Sequence, residues 1–133
     1  MNILKNILLI AVFLVILPVD LQAQVIHNHR GQIMGRVSDN QYFDSAGRLI
    51  GYEENSRLYN ASDRYLGKIE EGYLHDVTDQ ALGRVNGSFL FDQTGRMIGR
   101  IEGDRIYDIG SGYIARAPGL ANRDIVLFFF FYY

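Results

Sequence analysis

Glycine returns every sixteen residues along the middle of this chain, at Gly35, Gly51, Gly67, Gly83 and Gly99. The units it opens are 35–50, 51–66, 67–82, 83–98 and 99–114, and several of their columns agree at once. Unit position eight is Tyr42, Leu58, Leu74, Leu90 and Ile106. Position nine is Phe43, Tyr59, His75, Phe91 and Tyr107, and position ten is Asp44, Asn60, Asp76, Asp92 and Asp108. Position sixteen is Ile50, Leu66, Leu82, Ile98 and Ile114. Positions four to six are short polar turns such as Glu54-Asn55-Ser56 and Asn86-Gly87-Ser88, the kind that tolerates positive φ in a hairpin. Positions ten to thirteen form a second turn, cleanest in Asp44-Ser45-Ala46-Gly47 and Asp92-Gln93-Thr94-Gly95. There the Asp side chain accepts backbone N–H groups two residues on, and the glycine takes the left-handed place of a type I turn with a bulge. Asp63 and Asp79 replace that glycine, and Asp also tolerates the left-handed region.

Each unit therefore reads as two short strands and two tight turns, and no stretch from Gln24 to Ala117 has a helical period. The pattern overruns its five full units at both ends. Residues 25–34 match positions seven to sixteen, and 115–117 match positions one to three before Pro118 stops them. Split terminal units let the first and last strands pair, which removes the exposed edges of an open sheet. The expected fold is all-β: five 16-residue β-hairpin repeats, closed around a pseudo-five-fold axis. A glycine inside a strand marks a bend or a close backbone approach. The repeat glycines, with Ala115 in the sixth place, are expected to line a crowded axis. Val37 and Ile50 are expected on opposite faces of the sheet.

Residues 1–23 are set apart as a candidate signal peptide. Lys5 precedes the apolar run Ile7 to Leu17, Pro18 ends it, and a cut after Ala23 would leave Gln24 first. The run is shorter than the about 20 apolar residues that a membrane-spanning helix needs. With no cysteine in the chain, disulfides, thiolate zinc sites and a lipid-modified cysteine are excluded. A formal net charge of −2 argues against a nucleic-acid partner.

The five Gly-x-apolar…aromatic-Asp-x-x-Gly-Arg units, the signal segment and the tail ending FFFFYY together resemble the 5-fold β-flower family. These are small secreted proteins, mostly of Bacteroidetes. The resemblance covers Gln24 to Tyr133 and implies a fold and an exported location, periplasmic, outer-membrane-associated or secreted, but no catalytic site. FDSAGRLIG and FDQTGRMIG are also similar to the YD repeats of large secreted shells, whose arrays are far longer than this chain. The third unit departs most from the pattern, with His75 for the aromatic and Asp79-Gln80 for Gly-Arg.

Residues 118–133 form a linker and an aromatic tail. Ile125 to Tyr133 is apolar throughout, and read as a strand it would bury both faces. It has two candidate roles. It either completes the core of the repeat domain, or it serves in assembly or docking through Phe128, Phe129, Phe130, Phe131, Tyr132 and Tyr133.

Chemistry-bearing residues are few. His27 and His29 form an H-x-H, with His75 far along the chain, and a zinc site would need a third ligand close by. Asp44, Asn60, Asp76, Asp92, Asp108 and Asn28 could ring a calcium ion, but turn capping already accounts for them. Arg36, Arg48, Arg64, Arg84, Arg96, Arg100 and Arg116 could hold acidic glycans or phosphate through bidentate hydrogen bonds. No nucleophile motif, phosphate loop or paired-carboxylate site is present. The expectation is a non-enzymatic, cofactor-free binding module of the cell envelope or secreted space. Its partner would be an envelope protein or a glycan, bound through repeated Tyr, Phe and Arg positions. The alternative is a structural accessory that self-associates through its tail.

Overall fold

The computed structural model describes residues 24–133, and the candidate signal at 1–23 lies outside them. The turns fall where the polar columns put them and divide 24–116 into β1 (Gln24–Asn28), β2 (Ile33–Ser38), β3 (Gln41–Asp44), β4 (Leu49–Glu54), β5 (Arg57–Asn60), β6 (Tyr65–Glu70), β7 (Tyr73–Asp76), β8 (Ala81–Asn86), β9 (Phe89–Asp92), β10 (Met97–Glu102), β11 (Arg105–Asp108) and β12 (Gly112–Arg116). A helix α1 (Asn122–Leu127) and a π-helical segment (Phe128–Tyr132) follow. Every neighbouring pair of strands is antiparallel, and β1 pairs with β12, so the sheet closes into a barrel. The split units therefore do what their sequence implies.

The count differs from expectation. Twelve strands make six hairpins, one more than five. The extra hairpin position is assembled from the two ends of the chain. Residues 25–34 supply its second half and 115–117 the start of its first, so what look like overhangs make up most of one more unit.

Two kinds of turn set the register. Asp39-Asn40, Asn55-Ser56 and Glu71-Gly72 have positive φ at both central residues, whereas Gly87-Ser88 and Gly103-Asp104 have it at the first only. These are the turn geometries whose twist matches that of paired strands. At the other end of each hairpin, the position-ten side chain holds a bulged turn. Asp44 Oδ1 accepts the N–H groups of Ala46 and Arg48, both at 2.9 Å, and Gly47 sits at φ +83°. Asp63 and Asp79 take the same place at φ +66°.

A β-bulge recurs just before each position-one residue. Tyr42 pairs with Gly51 but Phe43 with Leu49, which leaves Ile50 unpaired. Met34, Leu66, Leu82, Ile98 and Ile114 are skipped in the same way. A bulge re-aims a side chain, and all six of these apolar residues pack against the core. Ile50 thus joins Val37 on the core side, contrary to the alternation read from sequence. Positions three and eight oppose each other on the inner face, as in Val37–Tyr42, Ile69–Leu74 and Ile101–Ile106, and are buried.

The aromatic tail is helical, not a strand, and it is the plug of the barrel. Ile125, Val126, Leu127 and Phe128 are buried in one cluster with the inner-face residues. Of the five consecutive aromatic rings Phe128 to Tyr132, four then meet glycines of the wall. A Cβ added at Gly35 would lie 2.5 Å from Phe128, and one at Gly83 would lie 3.1 Å from Phe130. At Gly51 it would strike Tyr132, and at Gly67 it would strike Phe131. The same Cβ atoms would also meet the carbonyl of the position-nine residue, for example Phe43 at 2.7 Å and Phe91 at 2.5 Å. The glycines are therefore fixed twice over, by the neighbouring strand and by the plug.

The winding of the plug fits this arrangement. An α-helix advances about 100° per residue, so residues four apart share a face. With i→i+5 bonding each turn is wider, and Phe128, Phe130, Phe131 and Tyr132 reach four different hairpins.

The plug also has one rotational setting. Glu53 stands at position three of the second unit, where Val37, Ile69, Val85 and Ile101 are apolar. Its side chain is 9% exposed, and its two oxygens accept from Arg123 Nη1 and Nη2 at 2.5 and 2.6 Å. Tyr132 donates to the Tyr59 carbonyl at 2.9 Å, and its ring stacks on Tyr42 at 4.5 Å. Removing Arg123 alone would leave a buried carboxylate without its partner, a costly state, whereas an apolar pair of similar volume is tolerated. Arg123→Leu should therefore destabilise by about 2 kcal/mol or more, and adding Glu53→Val should recover most of that loss. Urea denaturation of both single variants and the double variant measures the coupling. Strictly additive losses would contradict it.

Candidate functional site

The outer face repeats a different pair of columns. Position two opposes position nine across each hairpin, giving Arg36–Phe43, Tyr52–Tyr59, Lys68–His75, Arg84–Phe91 and Arg100–Tyr107. On its other side position two meets position seven of the preceding unit, as in Arg57–Lys68, Tyr73–Arg84 and Phe89–Arg100. Because side chains alternate along a strand, these residues face away from the plug. They form a belt in which cations lie over rings. Arg84 is 4.8 Å from the Phe91 ring centroid and 5.8 Å from that of Tyr73. Arg100 lies 4.5 Å over Tyr107, and Arg105 lies 5.2 Å over Tyr113.

Two cations of the belt have carboxylate partners. Lys68 reaches Glu70 and Asp79 at 3.3 and 3.4 Å, and Arg100 reaches Glu102 at 2.7 Å. Arg84, like Arg57 and Arg105, makes no ion pair among the described residues, and it is held between two rings where they each lie over one. A cleft of about 300 Å³ opens beside it, lined by Tyr73, Arg84, Phe91, Asp92, Gln93 and Thr94 among others, with the Asp92 carboxylate at its edge bonded to the Thr94 hydroxyl. Tyr73 is 44% exposed. Two aromatic walls, one free guanidinium and an amide–hydroxyl rim can engage a flat, oxygen-rich, anionic group.

The other sequence candidates are placed as follows. Gly35, Gly51, Gly67, Gly83 and Gly99 line the inner wall at the level of the plug. Asn28, Asp44, Asn60, Asp76, Asp92 and Asp108 cap turns at one end of the barrel, each with an oxygen already bonded to its own turn. His27 on β1 and His75 on β7 stand half a barrel apart. Among the described residues no three His, Asp or Glu side chains are close enough to share a metal ion. In the tail, Phe128 is buried, Phe129 to Tyr132 are half-buried against the wall, and Tyr133 is 78% exposed. The tail thus leaves one ring, not six, fully open to a partner. The third unit keeps the regular turn, with Thr78 and Gln80 donating to Asp76. The fifth unit is the irregular one: Gly110 and Ser111 donate to Asp108, and the positive φ moves to Gly112.

Sequence reading missed the Glu53–Arg123 pair and the ring-to-glycine contacts. Glu53 and Tyr42 were visible as breaks in otherwise apolar or aliphatic columns. Nothing in the sequence linked them to residues some 70 to 90 positions away.

The family model for the 5-fold beta-flower proteins matches residues 23–133, and the chain belongs to that family. No curated protein matches, and no solved structure does. Among the described residues no helix is long and apolar enough to cross a membrane.

The turn carboxyls carry a pH dependence. Hydrogen bonds hold them below the usual carboxylate range: from the Arg48 N–H at Asp44, from the Thr78 and Thr94 hydroxyls at Asp76 and Asp92, and from the Ser111 N–H at Asp108. A depressed folded-state value means that the stabilisation is present above the unfolded pKa of about 4 and lost as pH falls through the folded value. Asn28 and Asn60 hold the same turn without a charge. The variant D44N/D76N/D92N/D108N should therefore keep the fold and show a shallower fall in Tm between pH 7 and pH 2.5. Thermal melts across that range check it, and an acid limb as steep as wild type would refute it.

Proposed function

We propose that this protein is an exported, non-enzymatic binding module that presents the outer belt of a petalled ring to an acidic glycan. Five contiguous units and a composite sixth repeat the same hairpin about a pseudo-symmetry axis, so the belt offers similar Arg–aromatic contacts at successive steps. Repeat scaffolds present such extended surfaces readily. The observation that carries the reading is Arg84, which lies between Tyr73 and Phe91 beside the cleft without a carboxylate partner. A uronate-type sugar fits this chemistry. Its carboxylate takes the bidentate face of the guanidinium, its C–H face covers an aromatic ring, and its hydroxyls meet Gln93 and Thr94. The hydrophobic run at 7–17 and the absence of cysteine support export without disulfides.

Titration of residues 24–133 with oligogalacturonate, beside a neutral oligosaccharide of equal length, tests the proposal. Binding should favour the charged sugar and weaken with added salt. Arg84→Ala should lower affinity about tenfold or more, as expected for loss of a charge-assisted contact, with Tm unchanged. Equal binding by Arg84→Ala, or no binding of either sugar, would defeat the proposal.

A further inference from the structure

We propose that the barrel holds, beside its plug, a second site that takes one small uncharged aromatic molecule of one or two rings. The site follows from the contacts of the repeat glycines. Gly35, Gly51, Gly67 and Gly83 each have a ring of the plug against them: Phe128, Tyr132, Phe131 and Phe130 in turn. Gly99 does not. A Cβ there would meet the Tyr107 carbonyl at 2.6 Å and Leu90 Cδ1 at 3.5 Å, and no tail residue. Phe129 is the one ring of Phe128 to Tyr132 that meets none of these glycines. It packs edge-on against Phe128 and Tyr133, with centroids at 5.3 and 5.4 Å.

In the sector so left lies a cavity of about 280 Å³, walled by Leu90, Ile98, Ile106, Ile114, Val126 and Phe129. Tyr107 and Asp108 also border it, and Asp108 is exposed, so the opening lies under the turn that Asp108 caps. That turn is the one that departs from the shared geometry, with glycine at 110 and 112. An enclosed apolar cavity of about 150 Å³ stays dry and binds benzene; this one is nearly twice as large and half open to solvent. Its walls offer branched aliphatic side chains and the rings of Phe129 and Phe130. A planar hydrocarbon-like ring gains from such a lining, whereas a sugar or an ion would leave its polar groups unpaired. This site is separate from the outer cleft, and either proposal can fail without the other.

The test uses residues 24–133 with indole and benzene as probes and glucose as a control. Indole should bind one to one and raise Tm in a concentration-dependent way, as a ligand of the native state must. It should shift the methyl resonances of Ile98, Ile114, Leu90 and Val126 and leave those of Ile50 and Leu66 in place. Ile98→Phe, which fills the cavity, should abolish the Tm shift. If Ile98→Phe does not fold, Ile114→Phe serves the same purpose, and the methyl map of the wild type decides alone. Absence of indole binding, methyl shifts scattered over other sectors, or an undiminished Tm shift in a folded cavity-filled variant would each overturn the proposal.

Discussion

A closed barrel of twelve strands must fill its own lumen, and the rest of this structure follows from that requirement. About eight strands enclose a space that wall side chains can fill by themselves. With twelve strands, an apolar lining would otherwise face water. The C-terminal segment answers this with two helical layers. Ile125, Val126 and Leu127 belong to the first turns, and Phe128, Phe130, Phe131 and Tyr132 spread against the glycine level of the wall. Large rings meet the smallest residue, which keeps packing dense without strain. The heights agree as well. Six-residue strands span about 20 Å, or about 15 Å along the axis at the usual tilt, and the eleven residues of α1 and the π segment rise about 15 Å.

A repeating wall would offer several equivalent settings to the plug, and the residues that break the repeat remove that degeneracy. Glu53 stands in an apolar column and Tyr42 in an aliphatic one. They meet Arg123 and Tyr132, the charged and hydroxylated members of the plug. Tyr132 also reaches the backbone of β4 and β5 through its hydroxyl. Burial pushes the Tyr132 and Tyr42 hydroxyls well above the ordinary tyrosine value, so both stay protonated at neutral pH. Polar contacts of this kind add specificity as well as energy, because every wrong rotation would leave Glu53 buried without a partner.

The strand pattern was legible because each hairpin is specified locally. The Asp or Asn at position ten, the left-handed residue three places on and the two-residue turn after position four all act within a few residues of chain. Closure was legible too, from the split units. The number of hairpins was not, because the composite unit is contiguous only in space. Ile50 was assigned to the wrong face because a bulge shifts the alternation by one residue at a point the sequence does not mark. The tail was misread for a different reason. A segment buried on all sides has no polar face, so it shows neither a helical nor a strand period. The Arg–aromatic belt was visible as columns two and nine. The placement of Arg84 between two rings needed the fold.

The molecule therefore separates its tasks by face. Inner columns one, three, eight and sixteen hold the plug, and outer columns two, seven and nine face away from it. That division stands on the claim that wall and plug are one cooperative unit. Heat denaturation of the chain 24–120, which ends before α1, tests this most directly. If the plug completes the core, the shortened chain will show no cooperative transition and will bind a hydrophobic dye, and a synthetic peptide covering 118–133 will restore the transition. A shortened chain that melts cooperatively at the temperature of the full chain would contradict the account.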